Sequence, residues 1–190
     1  MTQGLYHYLR QAWKQPNAVM EKSRLIDWRA SEAVVVVDKP LRLDRARALG
    51  YKAKKGFVVA RVRLKRGGRK RPRHTHGRKS RKQHVRKILK MNYQWVAEQR
   101  AQTKFPNLEV LSSYNIGKDG KNYFFEVILI DPQMPEIQND KNYSWINNPA
   151  NKGRVWRGLT SAAKKSRGLR TKSRNMKVRP SLRAWNRQGK

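Results

Sequence analysis

The sequence predicts an α+β fold: a small, mostly antiparallel sheet with packed helices, carrying a long basic loop and a basic C-terminal extension. Three observations predict it. Val34-Val35-Val36-Val37 is a run of β-branched residues closed by Lys39-Pro40, the composition of a strand. From Gly56 to Lys65, Val58, Ala60, Val62 and Leu64 alternate with Val59, Arg61, Arg63 and Lys65, the period of two that a pleated strand requires. Asp119-Gly120 stands between two apolar runs, a strong short-range hairpin signal. With helical-period stretches before and between these strands, the pattern fits a mostly antiparallel sheet covered by helices.

The elements follow in order. Leu5, Leu9 and Trp13, with Tyr8 and Ala12, recur at helical spacing until Pro16 closes the run. A second helix is expected over about 18–32, with Val19, Leu25, Ile26 and Trp28 as its apolar members. The valine run 34–37 does not alternate, so it is expected to be buried on both faces. In the Gly56–Lys65 strand one face joins a core while the other presents a row of cations. A third helix is expected from about Lys82 to Gln102, with Val85, Ile88, Leu89, Trp95 and Val96 as its stripe and Phe105-Pro106 as its end. Leu108, Val110, Tyr114 and Ile116 are expected on one strand face, with 117–122 as the turn and Tyr123–Ile130 running back. Beyond Asp131-Pro132 the regular pattern fades. Trp145, Trp156 and Leu159 are candidates to anchor the tail, and Trp156 is expected against the domain. From Lys164 on, too few apolar residues remain to bury, so the segment is expected to be extended or disordered without its partner.

Charge divides the 190 residues. The chain has 46 Lys and Arg against 12 Asp and Glu, a net charge of +34. Residues 1–44 hold seven basic and five acidic side chains, and residues 91–151 five and seven. Residues 45–90 hold twenty basic residues and 152–190 fourteen, neither with one acid. This organisation predicts an α+β domain over 1–151, with a basic loop inserted at about 65–82, and a basic extension over 152–190. Self-repulsion on this scale must be offset by a polyanion, and nucleic acid is the usual one. A nuclear-localisation signal needs only a short basic cluster and leaves most of the first block unexplained.

The candidate phosphate contacts in the first block are Arg45, Arg47, Lys52, Lys54, Lys55, Arg61, Arg63, Lys65, Arg66, Arg69, Lys70, Arg71, Arg73, His74, His76, Arg78, Lys79, Arg81 and Lys82. In the second they are Arg154, Arg157, Lys164, Lys165, Arg167, Arg170, Lys172, Arg174, Lys177 and Arg179. Arg gives planar, bidentate phosphate contacts and stacks on bases. Gly67-Gly68 and Gly77 let the backbone approach a phosphate closely. Trp185 sits among polar residues and has a base, a partner protein or the core as alternatives.

Other chemistries find little support. His74 and His76 have no cysteine and no third ligand nearby in sequence, so phosphate or base contact is expected rather than metal. The basic blocks lack any carboxylate, so neither an acid/base pair nor a Mg²⁺ site can be built within them. The acids elsewhere are expected as caps and surface partners. No enzyme, cofactor or small-molecule substrate is expected. No apolar run approaches the ~20 residues of a membrane span, and the N-terminus lacks the regions of a signal peptide. A cytosolic protein without membrane partners is expected.

Four segments bear a family resemblance: Tyr6-His7-Tyr8 with Trp13; Arg45–Lys54; Gly56–Arg63; and Gly158–Leu169. In these the chain resembles the fifteen-e family of archaeal and eukaryotic large-subunit ribosomal proteins, over most of its length and in the expected order. The resemblance implies a structural constituent of the large subunit, located in the cytoplasmic ribosome. It implies an α+β core with extensions in ribosomal RNA, neighbouring ribosomal proteins as partners and no catalytic role. Eukaryotic members end in a denser Arg-rich run than the Arg183–Lys190 of this chain, which points to an archaeal-type source. On composition alone, an architectural protein that compacts DNA is the alternative, and an RNA-modifying or RNA-cleaving enzyme the weaker third.

Overall fold

The computed structural model describes residues 2–68, 75–78 and 89–170. Its centre is a four-stranded, wholly antiparallel sheet in the order β1-β2-β4-β3. The strands are β1 Val34–Val37, β2 Phe57–Lys65, β3 Glu109–Lys118 and β4 Asn122–Ile130. The helices are α1 Leu5–Lys14, α2 Ala18–Ala30, α3 Leu43–Ala48, α4 Tyr93–Lys104, the single turn α5 Pro135–Gln138, and α6 Ser161–Ser166. The α+β architecture follows the sequence expectation.

Helices cover both faces. On one, Ala60, Val62, Leu64, Val110, Phe125, Val127 and Leu129 pack beneath Trp95, Ala97 and Ala101 of α4 and Ala162 and Ala163 of α6. On the other, Val59, Phe124 and Ile128 meet Trp28 of α2, Ala46 of α3 and Tyr51. β2 and β4 are the inner strands, and β4 is buried along nearly its whole length. That explains why Tyr123–Ile130 shows no alternation.

Several expectations are corrected. The valine run is not buried on both faces: β1 is an edge strand, and Val36 is 51% exposed. A β-branched run fits either position, and only the sheet order decides. The third helix does not run from Lys82. Residues 82–88 lie outside the described residues, Lys90 has a positive φ of 56°, and α4 starts at Tyr93. There Asn92 caps it, accepting the Trp95 N–H at 2.8 Å. Leu89 is therefore exposed rather than part of the stripe, and the buried face of α4 includes Glu98 and Gln102. In β3, a register shift between Val110 and Ser112 inserts an extra residue. It sends Val110 to the α4 face and Tyr114 and Ile116 to the opposite one, as a bulge does to side-chain alternation. The hairpin turn is as read, shortened to Asp119-Gly120-Lys121, with Asp119 accepting the Lys121 N–H at 2.7 Å.

Packing continues past residue 151, where the sequence suggests the domain ends. Val155, Thr160 and Ala163 are fully buried, and Trp95 Nε1 donates to the Val155 carbonyl at 2.8 Å. Trp156, expected against the domain, is instead 52% exposed, because its neighbour Val155 takes the inward position.

Gly56 turns the chain into β2 with a φ of +88°, and a Cβ there would lie 2.7 Å from Ile137 Cγ1. Gly56→Ala is therefore expected to destabilise the fold by roughly 1–3 kcal/mol, read as a lowered urea midpoint with an unchanged slope.

Candidate nucleic-acid interface

The candidate cations fall into two classes according to what surrounds them. β2 carries Arg61 and Arg63 on the face that also receives α2. The Arg61 guanidinium lies over the Trp28 ring at 5.4 Å, donates to Ser31 Oγ at 3.3 Å, and has its pKa pushed down by burial. Arg63 donates to the Arg29 carbonyl. The expected row of cations is thus half-buried and covered by a helix at these two positions.

Past β2 the cations emerge. Lys65 and Arg66 are exposed, and Arg66 is oriented by the Asp119 carbonyl at 2.7 Å and by the Tyr123 ring at 4.9 Å. Tyr93 clasps the start of the basic loop: its hydroxyl accepts from Gly67 N–H at 3.0 Å and donates to the Gly67 carbonyl at 3.2 Å. His76 and Arg78 are exposed. Arg69, Lys70, Arg71, Arg73, His74, Lys79, Arg81 and Lys82 lie outside the described residues, as do Lys172, Arg174, Lys177, Arg179 and Trp185.

Between α3 and β2 the same division recurs. Lys52 and Lys54 both reach Asp140 Oδ2, at 2.9 and 2.7 Å, and both lie over the Tyr143 ring. Their hydrogen bonds, from Lys54 foremost and then Lys52, hold the Asp140 carboxyl well below the usual carboxylate range. Lys55 and Arg45 point outward. Arg47 is exposed but tethered to Tyr6 of α1, donating to its hydroxyl and stacking on its ring at 5.8 Å.

In the second block Arg154 is drawn inward. Its guanidinium donates to the Val110 and Leu111 carbonyls at 2.8 and 3.2 Å and covers the Trp145 ring at 5.0 Å, and burial lowers its pKa. Half-buried Arg167 donates to the Gly158 carbonyl at 2.8 Å. Arg157, Lys164, Lys165 and Arg170 are exposed. Arg157 donates to the Lys152 carbonyl at 2.9 Å, and Arg170 to Ser161 Oγ. Lys164 and Lys165 stand in the last turn of α6, where cations also suit the helix dipole.

Comparison with known proteins places this scaffold in a family. A family model described as Ribosomal L15 matches residues 4–185. The chain belongs to this family. It is similar to the large ribosomal subunit protein eL15 of Methanocella arvoryzae, 48% identical over 196 residues with all of both chains covered. It is equally similar to the large ribosomal subunit protein eL15 of Methanospirillum hungatei, 48% identical over 190 residues with 97% of each chain covered. Family membership places the chain in the large subunit of the ribosome, in the cytoplasm. Among the described residues, no helix is long and apolar enough to cross a membrane.

In this Ribosomal L15 family member two acids expected as caps or surface partners are core residues. Glu98, 1% exposed, accepts from Ser113 Oγ and, at 2.6 Å, from Thr160 Oγ1, tying α4 to β3 and to the cap of α6. Glu126, 2% exposed, accepts from the Tyr114 hydroxyl and from the Leu41 N–H at 3.2 Å. Burial pushes both carboxyl pKa values up. A buried carboxyl with a raised pKa holds a proton in the folded chain over a pH interval where the unfolded chain has released it. Stability therefore falls as pH rises from the ordinary carboxylate value through the raised one, and is level above it. Glu98→Gln is expected to remove the Glu98 share of this dependence and leave that of Glu126, so the difference between denaturation midpoints measured at pH 4.5 and pH 7 should shrink without vanishing.

Sequence reasoning also missed two cations in the Ribosomal L15 fold, Arg10 and Arg42, which stand in a near-neutral segment. Arg42 lies over the Trp13 ring at 4.8 Å and 3.9 Å from Asp44. The flanking aromatic of α1 was the available signal.

Proposed function

We propose that this chain binds and stabilises folded ribosomal RNA of the large subunit through phosphate neutralisation, as a structural rather than catalytic constituent. The observation that carries the reading is the pairing of two acid-free blocks, of twenty and fourteen basic residues, with a core that turns only some cations inward. Inward-turned cations brace the domain. Outward ones, Arg45, Lys55, Lys65, Arg78, Lys164 and Lys165, remain for phosphates, and the rest of the two blocks extends the same chemistry along the chain. The domain positions and the basic segments bind, letting RNA segments approach one another that would otherwise repel. Neighbouring large-subunit proteins are the expected protein partners, and exposed Trp145 and Trp156 are suited to such contacts.

Equilibrium competition tests the reading. Structured fragments of large-subunit RNA are expected to displace duplex DNA of equal phosphate number, and the chain in lysate to sediment with large-subunit particles at low salt. Preference for the DNA would favour an architectural protein that compacts DNA, and sedimentation at the top of the gradient would remove the ribosomal role.

A further inference from the structure

Where α1 and α3 meet the outer edge of β3, a cleft of about 590 Å³ opens, within the roughly 300–1,000 Å³ of small-molecule sites. Its lining includes three guanidinium groups, those of Arg10, Arg42 and Arg45. The one carboxylate in the lining, Asp44, is 9% exposed and already faces Arg42. The charge of the cleft therefore calls for an anion. The Arg42 guanidinium lies over the Trp13 ring at 4.8 Å, and its Nε is buried without a partner among the described residues. A guanidinium fixed and partly dried in this way suits stacking beneath a base or paired bonds to a phosphate.

The opposite wall carries amides. Gln94 Nε2 lies 2.8 Å from the Ser113 carbonyl and 2.9 Å from Ser113 Oγ. This fixes the amide and leaves its oxygen as an acceptor. Among the described residues, the exposed Asn115 side chain makes one long bond, from Nδ2 to the Gly117 carbonyl at 3.5 Å. An inorganic anion has no use for acceptors and a lipid would want an apolar lining. Cations on one side and amides on the other match a nucleoside phosphate. The cleft is far too small for a duplex.

We infer that this cleft takes one unpaired nucleotide of RNA, its phosphate on Arg10 and Arg45 and its base against Arg42, read at its edge by Gln94 and Asn115. The inference rests on the RNA-binding function proposed above and adds a site for a single splayed-out residue to a surface otherwise blind to sequence. The same chemistry exists in a free nucleotide, so the test separates the two sources.

The full chain and its Arg10→Ser/Arg45→Ser double variant are titrated with an RNA hairpin bearing an unpaired loop and with a blunt RNA duplex of equal phosphate number. The wild type is also titrated with 5′-AMP. Both arginines are exposed, so an unchanged melting temperature is expected. The double variant should lose some affinity for the duplex, because Arg45 also faces phosphates in general, but its loss on the loop should exceed the loss on the duplex by on the order of tenfold. Gln94→Ala should change the preference among loop sequences without changing the salt slope. Equal losses on hairpin and duplex, or no loss on either, would overturn the site. Micromolar binding of 5′-AMP that no loop RNA displaces would assign the cleft to free nucleotide instead. A wild type that binds neither RNA removes the proposed function itself, whereas the cleft is judged on the difference between hairpin and duplex.

Discussion

Between about 50 and 200 mM monovalent salt, the affinity of this chain for large-subunit RNA is expected to fall by on the order of 10³ to 10⁵. That is the loss for about six to ten neutralised phosphates, each releasing condensed counterions. The chain carries 46 cationic side chains, yet the slope should count far fewer. Lys52, Lys54, Arg61, Arg63, Arg154 and Arg167 are turned toward carboxylates, carbonyls or rings of the same domain. Neutralising exposed Lys164 and Lys165 together, as Gln, should lower the slope of log affinity against log salt by about two. Lys52→Gln should leave it unchanged, since Lys52 is paired with Asp140 before any RNA arrives. Filter binding across a salt series reads both. The reverse pattern would mean that RNA opens the internal ion pairs.

Phe124→Ala is expected to cost about 3–5 kcal/mol, a large part of the roughly 5–15 kcal/mol that holds a domain folded. Phe124 is fully buried on an inner strand, and its ring lies 5.3 Å from Trp28. Removing it leaves a cavity beneath α2, the helix whose Trp28 also carries the Arg61 guanidinium. Urea unfolding measures the loss, and the Trp28 fluorescence should shift with it. Leu5→Ala, on a helix with no buried residue and at a position 66% exposed, should change stability by less than about 0.5 kcal/mol. A cost below about 1 kcal/mol for Phe124→Ala would mean that α2 is not seated on the sheet.

The features legible in the sequence were the local ones. The alternation in β2, the Asp-Gly hairpin and the division of charge each depend on neighbouring residues, and the fold class follows from them. What stayed hidden depends on partners far along the chain. Glu126 meets the Leu41 N–H across 85 residues and Glu98 meets Thr160 across 62, so nothing near either carboxylate marks it as buried. The polar inner face of α4 escaped for the same reason, because hydrophobic periodicity registers only apolar contacts. The candidate interface was half legible. Residue type identifies a cation, but only the fold tells Lys55, facing solvent, from Lys54, facing Asp140. Arg42 illustrates the converse, since the cleft it lines is assembled from four separate elements, α1, α3, α4 and β3, and leaves no motif.

The two outer strands show what the inward-turned cations do for the chain before it meets RNA. Lys104 Nζ donates to the Val34 carbonyl of β1 at 3.1 Å, while Arg154 and Gln94 occupy the Val110, Leu111 and Ser113 carbonyls of β3. A bare sheet edge is a template on which a second copy can add its own strand, the first step toward aggregation. Here several of the acceptors such a strand would seek are already taken, and two of the three caps bring a charge that repels an identical copy. Before RNA arrives, the same cations thus blunt the two edges at which one copy could add its strand to another.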